Sequence, residues 1–148
     1  MPHTKIWIHI VFSTFERKPL LNDSIRENIF KHIFDYSKSK DIFIDRINGY
    51  VDHVHILLSL SRDQTISKVM QFIKGESSHW INKNNLTKEK FEWQDEYFAV
   101  SVSESKLEIL KKYIDNQVEH HKTKTFKEEY DDFMKRYGFK DLAKADSY

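Results

Sequence analysis

Cysteine is absent from this 148-residue chain, which excludes disulfides, thiolate metal sites and a cysteine nucleophile, and fits a reducing compartment. Backbone breakers are scarce as well. Three glycines and two prolines rule out collagen-like or linker-rich organisation. No apolar run approaches the roughly 18 residues that a membrane-spanning helix needs. The opening Met1-Pro2-His3-Thr4-Lys5-Ile6-Trp7 lacks the apolar stretch and small-residue cleavage site of a secretory signal. The expectation is a soluble cytoplasmic protein with no membrane partner. An excess of one charge is missing too: 24 Lys and Arg stand against 23 Asp and Glu, a formal net charge of +1, whereas a nucleic-acid-binding domain often has a pI above about 9. Any basic surface must therefore be local, at Arg17 with Lys18, Lys68 with Lys74, Lys111 with Lys112, Lys122 with Lys124, or Lys135 with Arg136. For any one such pair, an ordinary solvated face is the plainer reading.

What is present describes a folding chain. A hydrophobic share of 39% and a charged share of 32% are those of a globular protein, and the length suits one domain with one core. Residues 5–14 are rich in β-branched and aromatic types and suit a central strand. Ile25, Ile29 and Ile33 with Phe30 and Phe34 recur at helical spacing up to Tyr36, and Asn22, Asp23 or Ser24 can cap that helix. Residues 42–48 and 51–60 read as strands of a hairpin turning at Asn48-Gly49, a dipeptide that supplies positive φ angles. Thr65–Lys83 is a second helix, in which Gly75 suggests close packing against a neighbour. Tyr97–Val102 is a short strand. Ser103 and Glu104 then cap a third helix running to about His121, and a last helix covers Phe126–Tyr137 and stops at Gly138. This order predicts an α+β fold: a ferredoxin-like (split βαβ) antiparallel sheet with helices on one face and additional C-terminal helices. One domain is expected over residues 1–148, with 122–148 as a helical C-terminal extension.

Two segments carry candidate chemistry. In the third strand, alternation puts Val54, Ile56, Leu58 and Leu60 on one face and His53, His55, Leu57 and Ser59 on the other. Both imidazoles can thus converge on one ion, and Asp52 can join the shell or orient a ring. The His-x-His pattern alone is weak, because a chance surface pair or half of a structural zinc site gives it equally well. In the third helix, Leu107, Leu110, Ile114 and Val118 make the buried stripe, with Tyr113 and Gln117 together roughly 85° to one side at 100° per residue. A tyrosine beside a polar amide on the flank of a helix suits chemistry, and a boundary tyrosine with its hydroxyl in water gives the same pattern. A divalent ion on His53 and His55 would polarise a phosphodiester and leave the Tyr113 phenol to attack in line. His9 reads as a packed or hydrogen-bonded strand histidine rather than a ligand, and Trp80 and Trp93 as core or dimer anchors rather than base-stacking platforms. His120 and His121 read as helix-end histidines that complement the dipole or reach metal or DNA.

Five segments in order carry a resemblance that spans nearly the whole chain. They are Phe12–Leu21 (FSTFERKPLL) after the opening strand, Asp52–Leu58 (DHVHILL), Phe72–Gly75 (FIKG), Trp93–Ala99 (WQDEYFA) and Tyr113–His121 (YIDNQVEHH). Together they resemble the single-tyrosine transposases of the smallest bacterial insertion sequences, REP-associated relatives included, within the histidine-hydrophobic-histidine (HUH) endonuclease superfamily. The resemblance implies a transposase that cuts and rejoins single-stranded DNA through a 5′-phosphotyrosine. It implies Tyr113 as the nucleophile, His53, His55 and Gln117 as ligands of Mg²⁺ or Mn²⁺, and DNA hairpins as recognition elements. It also implies a homodimer in which the tyrosine helix of one subunit can complete the partner's histidine site. Relatives often carry Asn where this chain has Asp52, so the role of that position is open. Arg17, Lys18, Lys74, Lys112 and Lys122 would supply the phosphate contacts. Two other readings compete. A non-catalytic single-strand nucleic-acid binder of the same fold would stack bases on exposed sheet aromatics, and a metal-binding regulator would have no use for Tyr113.

Overall fold

A computed structural model describes residues 2–136. Contacts divide the chain into two compact units, Met1–Gln117 and Val118–Tyr148.

The first unit is a four-stranded antiparallel sheet with spatial order β2-β3-β1-β4, built from β1 (Ile6–Ser13), β2 (Phe43–Gly49), β3 (His53–Leu60) and β4 (Phe98–Val102). With α1 (Asp23–Ser39) between β1 and β2 and α2 (Ile66–Lys83) between β3 and β4, this is the expected split βαβ arrangement. β3 alternates as anticipated, and β1 beside it does the same. Ile8, Ile10 and Phe12 of β1 and Val54, Ile56 and Leu58 of β3 point to one face, where they pack with Ile29, Phe30 and Ile33 of α1 and Val69, Met70, Ile73 and Ile81 of α2. Burial of these apolar side chains is the main stabilising term, at about 25 cal/mol per Å². Trp93 belongs to that core: its indole donates to Ser77 Oγ at 2.8 Å and its ring lies edge-on to Phe12 and Phe91.

Both long helices are capped by side chains. Asn22 Oδ1 accepts from Ser24 N at 3.1 Å, and Thr65 Oγ1 accepts from Lys68 N at 3.2 Å, each satisfying a backbone donor that the helix leaves unpaired.

The opposite sheet face is covered by α3 (Leu107–Asp115), where Leu107 and Ile114 pack on Leu57 with Trp7, Val102, Leu110 and Tyr113 around them. The helix is shorter than its periodicity suggests. Ser103 makes no side-chain cap, its hydroxyl lying 3.2 Å from that of Ser105, and a 3₁₀ turn at Glu104–Lys106 intervenes before α3 starts. At the other end the helix stops at Asn116, and a separate four-residue turn, α4 (Gln117–His120), follows. Val118 is exposed, so the expected stripe ends at Ile114. The last helix, α5 (Phe126–Arg136), lies in the second unit; Tyr137 and Gly138 fall outside the described residues.

Two glycine expectations change. The hairpin does not turn at Asn48-Gly49: both remain in β2, opposite His55 and Val54, and the turn is Tyr50-Val51-Asp52, closed by Tyr50 N donating to His53 O at 3.1 Å. Gly49 is needed for close approach instead, since a Cβ there would lie 2.1 Å from His53 O. Gly75 packs against nothing, as a Cβ there meets no atom within 4 Å.

The two glycines should therefore respond oppositely to alanine. In urea unfolding, Gly49→Ala is expected to destabilise by about 1–3 kcal/mol through overpacking. Gly75→Ala is expected to stabilise by about 0.5–1 kcal/mol, the helix-propensity difference. Equal effects would contradict this assignment.

Candidate active site

The sheet face beneath α3 carries an unusual concentration of buried polar groups. Ser13 of β1 stands opposite His53 and Val11 opposite His55, while His9 stands opposite Leu57, one diagonal step from His55. His53, His55 and Gln117 have no solvent exposure, and His9 has 1%. Buried polar atoms of this kind need partners.

His53 has a partner at each ring nitrogen. Its Nδ1 lies 2.8 Å from Asp52 Oδ1, and its Nε2 lies 3.0 Å from Gln117 Oε1. Asp52 is fixed in turn, because its carbonyl accepts from Thr14 N at 2.9 Å at the end of β1. A neutral His53 that donates Nδ1–H to Asp52 presents a lone pair at Nε2 toward the amide oxygen. Two lone pairs 3.0 Å apart require a proton or a cation to bind both. Asp52 thus has the geometry of a ring-orienting carboxylate.

His55 lies edge-on to His53, with ring centroids 5.1 Å apart and 76° between planes, and its Nδ1 is 3.0 Å from His9 Nε2. Tyr113, half-buried on α3, meets His55 at a centroid distance of 5.6 Å and 82°. The four expected site residues, His53, His55, Tyr113 and Gln117, are therefore brought together within one chain. Gln117 arrives differently than helical spacing implies: it follows the break at Asn116, and its Nε2 lies 3.4 Å from Tyr113 O.

The tyrosine helix is held to β2 by polar contacts. Asn48 Nδ2 donates to Ile114 O at 2.9 Å and Asp115 O at 3.2 Å, carbonyls that a helix end leaves unpaired. Arg46 pairs with Asp115 at 3.5 Å and Lys111 with Asp45 at 3.5 Å. By composition, Asn48 followed by Gly49 is a turn former. Only its register opposite His55 shows that it faces α3.

The candidate phosphate contacts divide. Lys112 and Lys122 are exposed, the latter pairing with Glu119 at 2.9 Å. Arg17 is exposed on a turn in which Glu16 and Arg17 both have φ 56°, a left-handed pair that costs energy for non-glycine residues. Lys18 sits beside Glu16 and Glu89 at 4.0 and 3.8 Å. Lys74 turns inward: its ammonium donates to Gln94 O and to Asp95 O, and burial lowers its pKa against the opposing pull of Asp95.

In the second unit, His120 and His121 both address Glu129, a residue the sequence reading passed over. Their Nε2 atoms lie 3.0 and 3.4 Å from its Oε2, and His121 Nδ1 lies 2.6 Å from Lys124 O. Burial lowers the pKa of His120, while the Glu129 carboxylate pulls it up. Three ligand atoms within 4.8 Å of one another could also hold a cation.

Comparison with known proteins supplies the context for this geometry. Residues 2–117 match the sequence profile of the family described as IS200-like transposases. The chain belongs to that family. Among solved structures, a candidate transposase from Deinococcus radiodurans R1 superposes with TM-score 0.64 at 21% identity, covering 78% of this chain and 93% of the other. A REP-associated tyrosine transposase bound to a REP hairpin superposes with TM-score 0.60 at 17% identity, covering 81% and 72%. No curated protein matches the chain. As a transposase-family protein it has the mixed α+β sheet of those structures, and among the described residues no helix is long and apolar enough to cross a membrane.

If Asn48 ties the tyrosine helix to the sheet, Asn48→Ala should cost about 1 kcal/mol and accelerate amide hydrogen exchange at Ile114–Gln117. Exchange unchanged in that segment would show that the contact does not hold the helix end.

Proposed function

We propose that this transposase-family protein cuts and rejoins single-stranded DNA through a 5′-phosphotyrosine at Tyr113, with a divalent ion, Mg²⁺ or Mn²⁺, held by His53, His55 and Gln117. The observation that carries the reading is the approach of His53 Nε2 and Gln117 Oε1 to 3.0 Å beside the Tyr113–His55 pair. That separation is what two ligands at bond lengths of about 2.1 Å from one ion adopt at near-right angles.

The donor set fits such an ion. Two imidazole nitrogens and an amide oxygen are all neutral, so a divalent ion would keep its full charge and open positions for phosphate oxygens. When bound, it would polarise the scissile phosphate and offset the charge that builds on it. The protein's own groups do the rest. The Tyr113 oxygen forms a bond to phosphorus while the bond from phosphorus to the 3′ oxygen breaks, and that oxygen leaves as a 3′-hydroxyl once it takes a proton. Attack by another 3′-hydroxyl on the phosphotyrosine reverses the balance, releases the phenol and rejoins DNA. Strand transfer then needs no external energy source.

For substrate, we read the hairpin carried by the REP-associated relative as a guide to this chain, with Arg17, Lys18, Lys112 and Lys122 contacting phosphates. The homodimer implied by the resemblance belongs to the same proposal. The position of Gln117 against His53 of its own chain favours a tyrosine acting within one subunit. A base-stacking, non-catalytic binder fits less well, because the sheet face it would use lies under α3 and carries histidines.

The test is covalent trapping. With labelled single-stranded DNA containing a hairpin, and Mn²⁺, the wild type should give an adduct that survives denaturation, and Tyr113→Phe should give none. Gln117→Ala should still trap DNA but require at least about tenfold more Mn²⁺. An adduct persisting in Tyr113→Phe would refute the nucleophile.

A further inference from the structure

We infer that His9 is the positioning residue for His55: by accepting the His55 Nδ1 proton, it keeps the opposite ring nitrogen, Nε2, as a lone-pair donor. The inference rests on the cation reading of His53, His55 and Gln117, although the hydrogen bond itself can be observed without any metal.

Three observations carry it. The rings of His9 and His55 are nearly parallel, at 17°, yet their centroids are 5.2 Å apart and His9 Nε2 lies 3.0 Å from His55 Nδ1. A separation that wide, with two nitrogens at hydrogen-bond distance, describes rings meeting edge to edge through an N–H···N bond rather than stacking face to face. Next, His9 is 1% exposed in the middle of β1, opposite Leu57 on one side and Val100 on the other. An apolar side chain would fill that place without the cost of burying an imidazole. Finally, the arrangement repeats a pattern already present at His53, whose Nδ1 meets Asp52 at 2.8 Å.

Direction decides the chemistry. Only one of the two nitrogens in the bond can donate. If His55 donates from Nδ1, its Nε2 is unprotonated and can ligate; if His9 donates, a neutral His55 carries its proton on Nε2 and cannot. A ligand pair therefore needs a partner that accepts from each Nδ1. Asp52 does this from the turn before β3, and His9 does it from β1. Such outer partners fix the tautomer and orientation of a ligating histidine, and their loss typically weakens metal binding by about 10–100-fold.

The experiment uses the full chain labelled with ¹⁵N-histidine. In the metal-free wild type, long-range ¹H–¹⁵N spectra should show His55 as the Nδ1–H tautomer. His9→Leu should lose that bias and raise the Mn²⁺ dissociation constant by about 10–100-fold, measured by electron paramagnetic resonance titration. His9→Gln, which retains an acceptor, should recover binding to within a few-fold. A merely structural role would lower the melting temperature of both variants without separating their Mn²⁺ affinities. His55 protonated at Nε2 in the wild type would overturn the inference, as would a folded His9→Leu protein with unaltered affinity. If His9→Leu does not fold, the wild-type tautomer and His9→Gln decide. A wild type with the Nδ1–H tautomer that binds no Mn²⁺ would support the hydrogen bond and overturn the cation reading.

Discussion

Imidazoles and an amide with no solvent exposure cannot be left without partners, and that requirement organises this fold around one sheet face. His9, His53, His55 and Gln117 converge there. Each unsatisfied buried polar group would cost about 1–3 kcal/mol, a large share of a stability that totals about 5–15 kcal/mol for a typical domain. The sheet can carry them because its other face bears the main apolar core with α1 and α2. Polar chemistry and packing are separated by the two-residue period of β1 and β3, with each strand serving both.

The same requirement explains the break in the tyrosine helix. Had α3 continued without interruption through Asn116, Gln117 would follow Tyr113 around the helix surface. Instead the helix stops, Asn48 accepts the task of pairing its terminal carbonyls, and Gln117 turns to meet His53. Asn48 and His55 are direct cross-strand neighbours, so the strand pairing that locates a histidine also locates the residue that anchors the tyrosine helix. The histidines and the tyrosine helix are coupled through β2.

Much of this was legible beforehand. β-Branched and aromatic composition locates β1, alternation locates β3 and its two faces, and helical spacing locates α1 and α2, with Asn22 one of three candidate caps for α1. His53, His55, Tyr113 and Gln117 were named from strand and helix geometry together with family resemblance, and the structure brings all four together. What remained hidden depended on contacts between distant segments. Asn48-Gly49 has the composition of a tight turn, and only the pairing of Gly49 with Val54 shows that the chain turns later. His9 looks like any strand histidine until the register sets it diagonal to His55. Nothing in the spacing of Lys74 foretells that its ammonium rests on the carbonyls of Gln94 and Asp95. Gly75 implied a close neighbour on the strength of helix propensity alone, which cannot report what lies opposite.

On the proposed reading, His53, His55 and Gln117 of a single chain hold one divalent ion beside Tyr113. Anomalous diffraction from crystals soaked in Mn²⁺ tests it most directly. One strong peak is expected within about 2.0–2.3 Å of His53 Nε2, His55 Nε2 and Gln117 Oε1, all from the same chain. A peak that excludes the two histidines, or one that draws Gln117 from a different chain than His53, would contradict it.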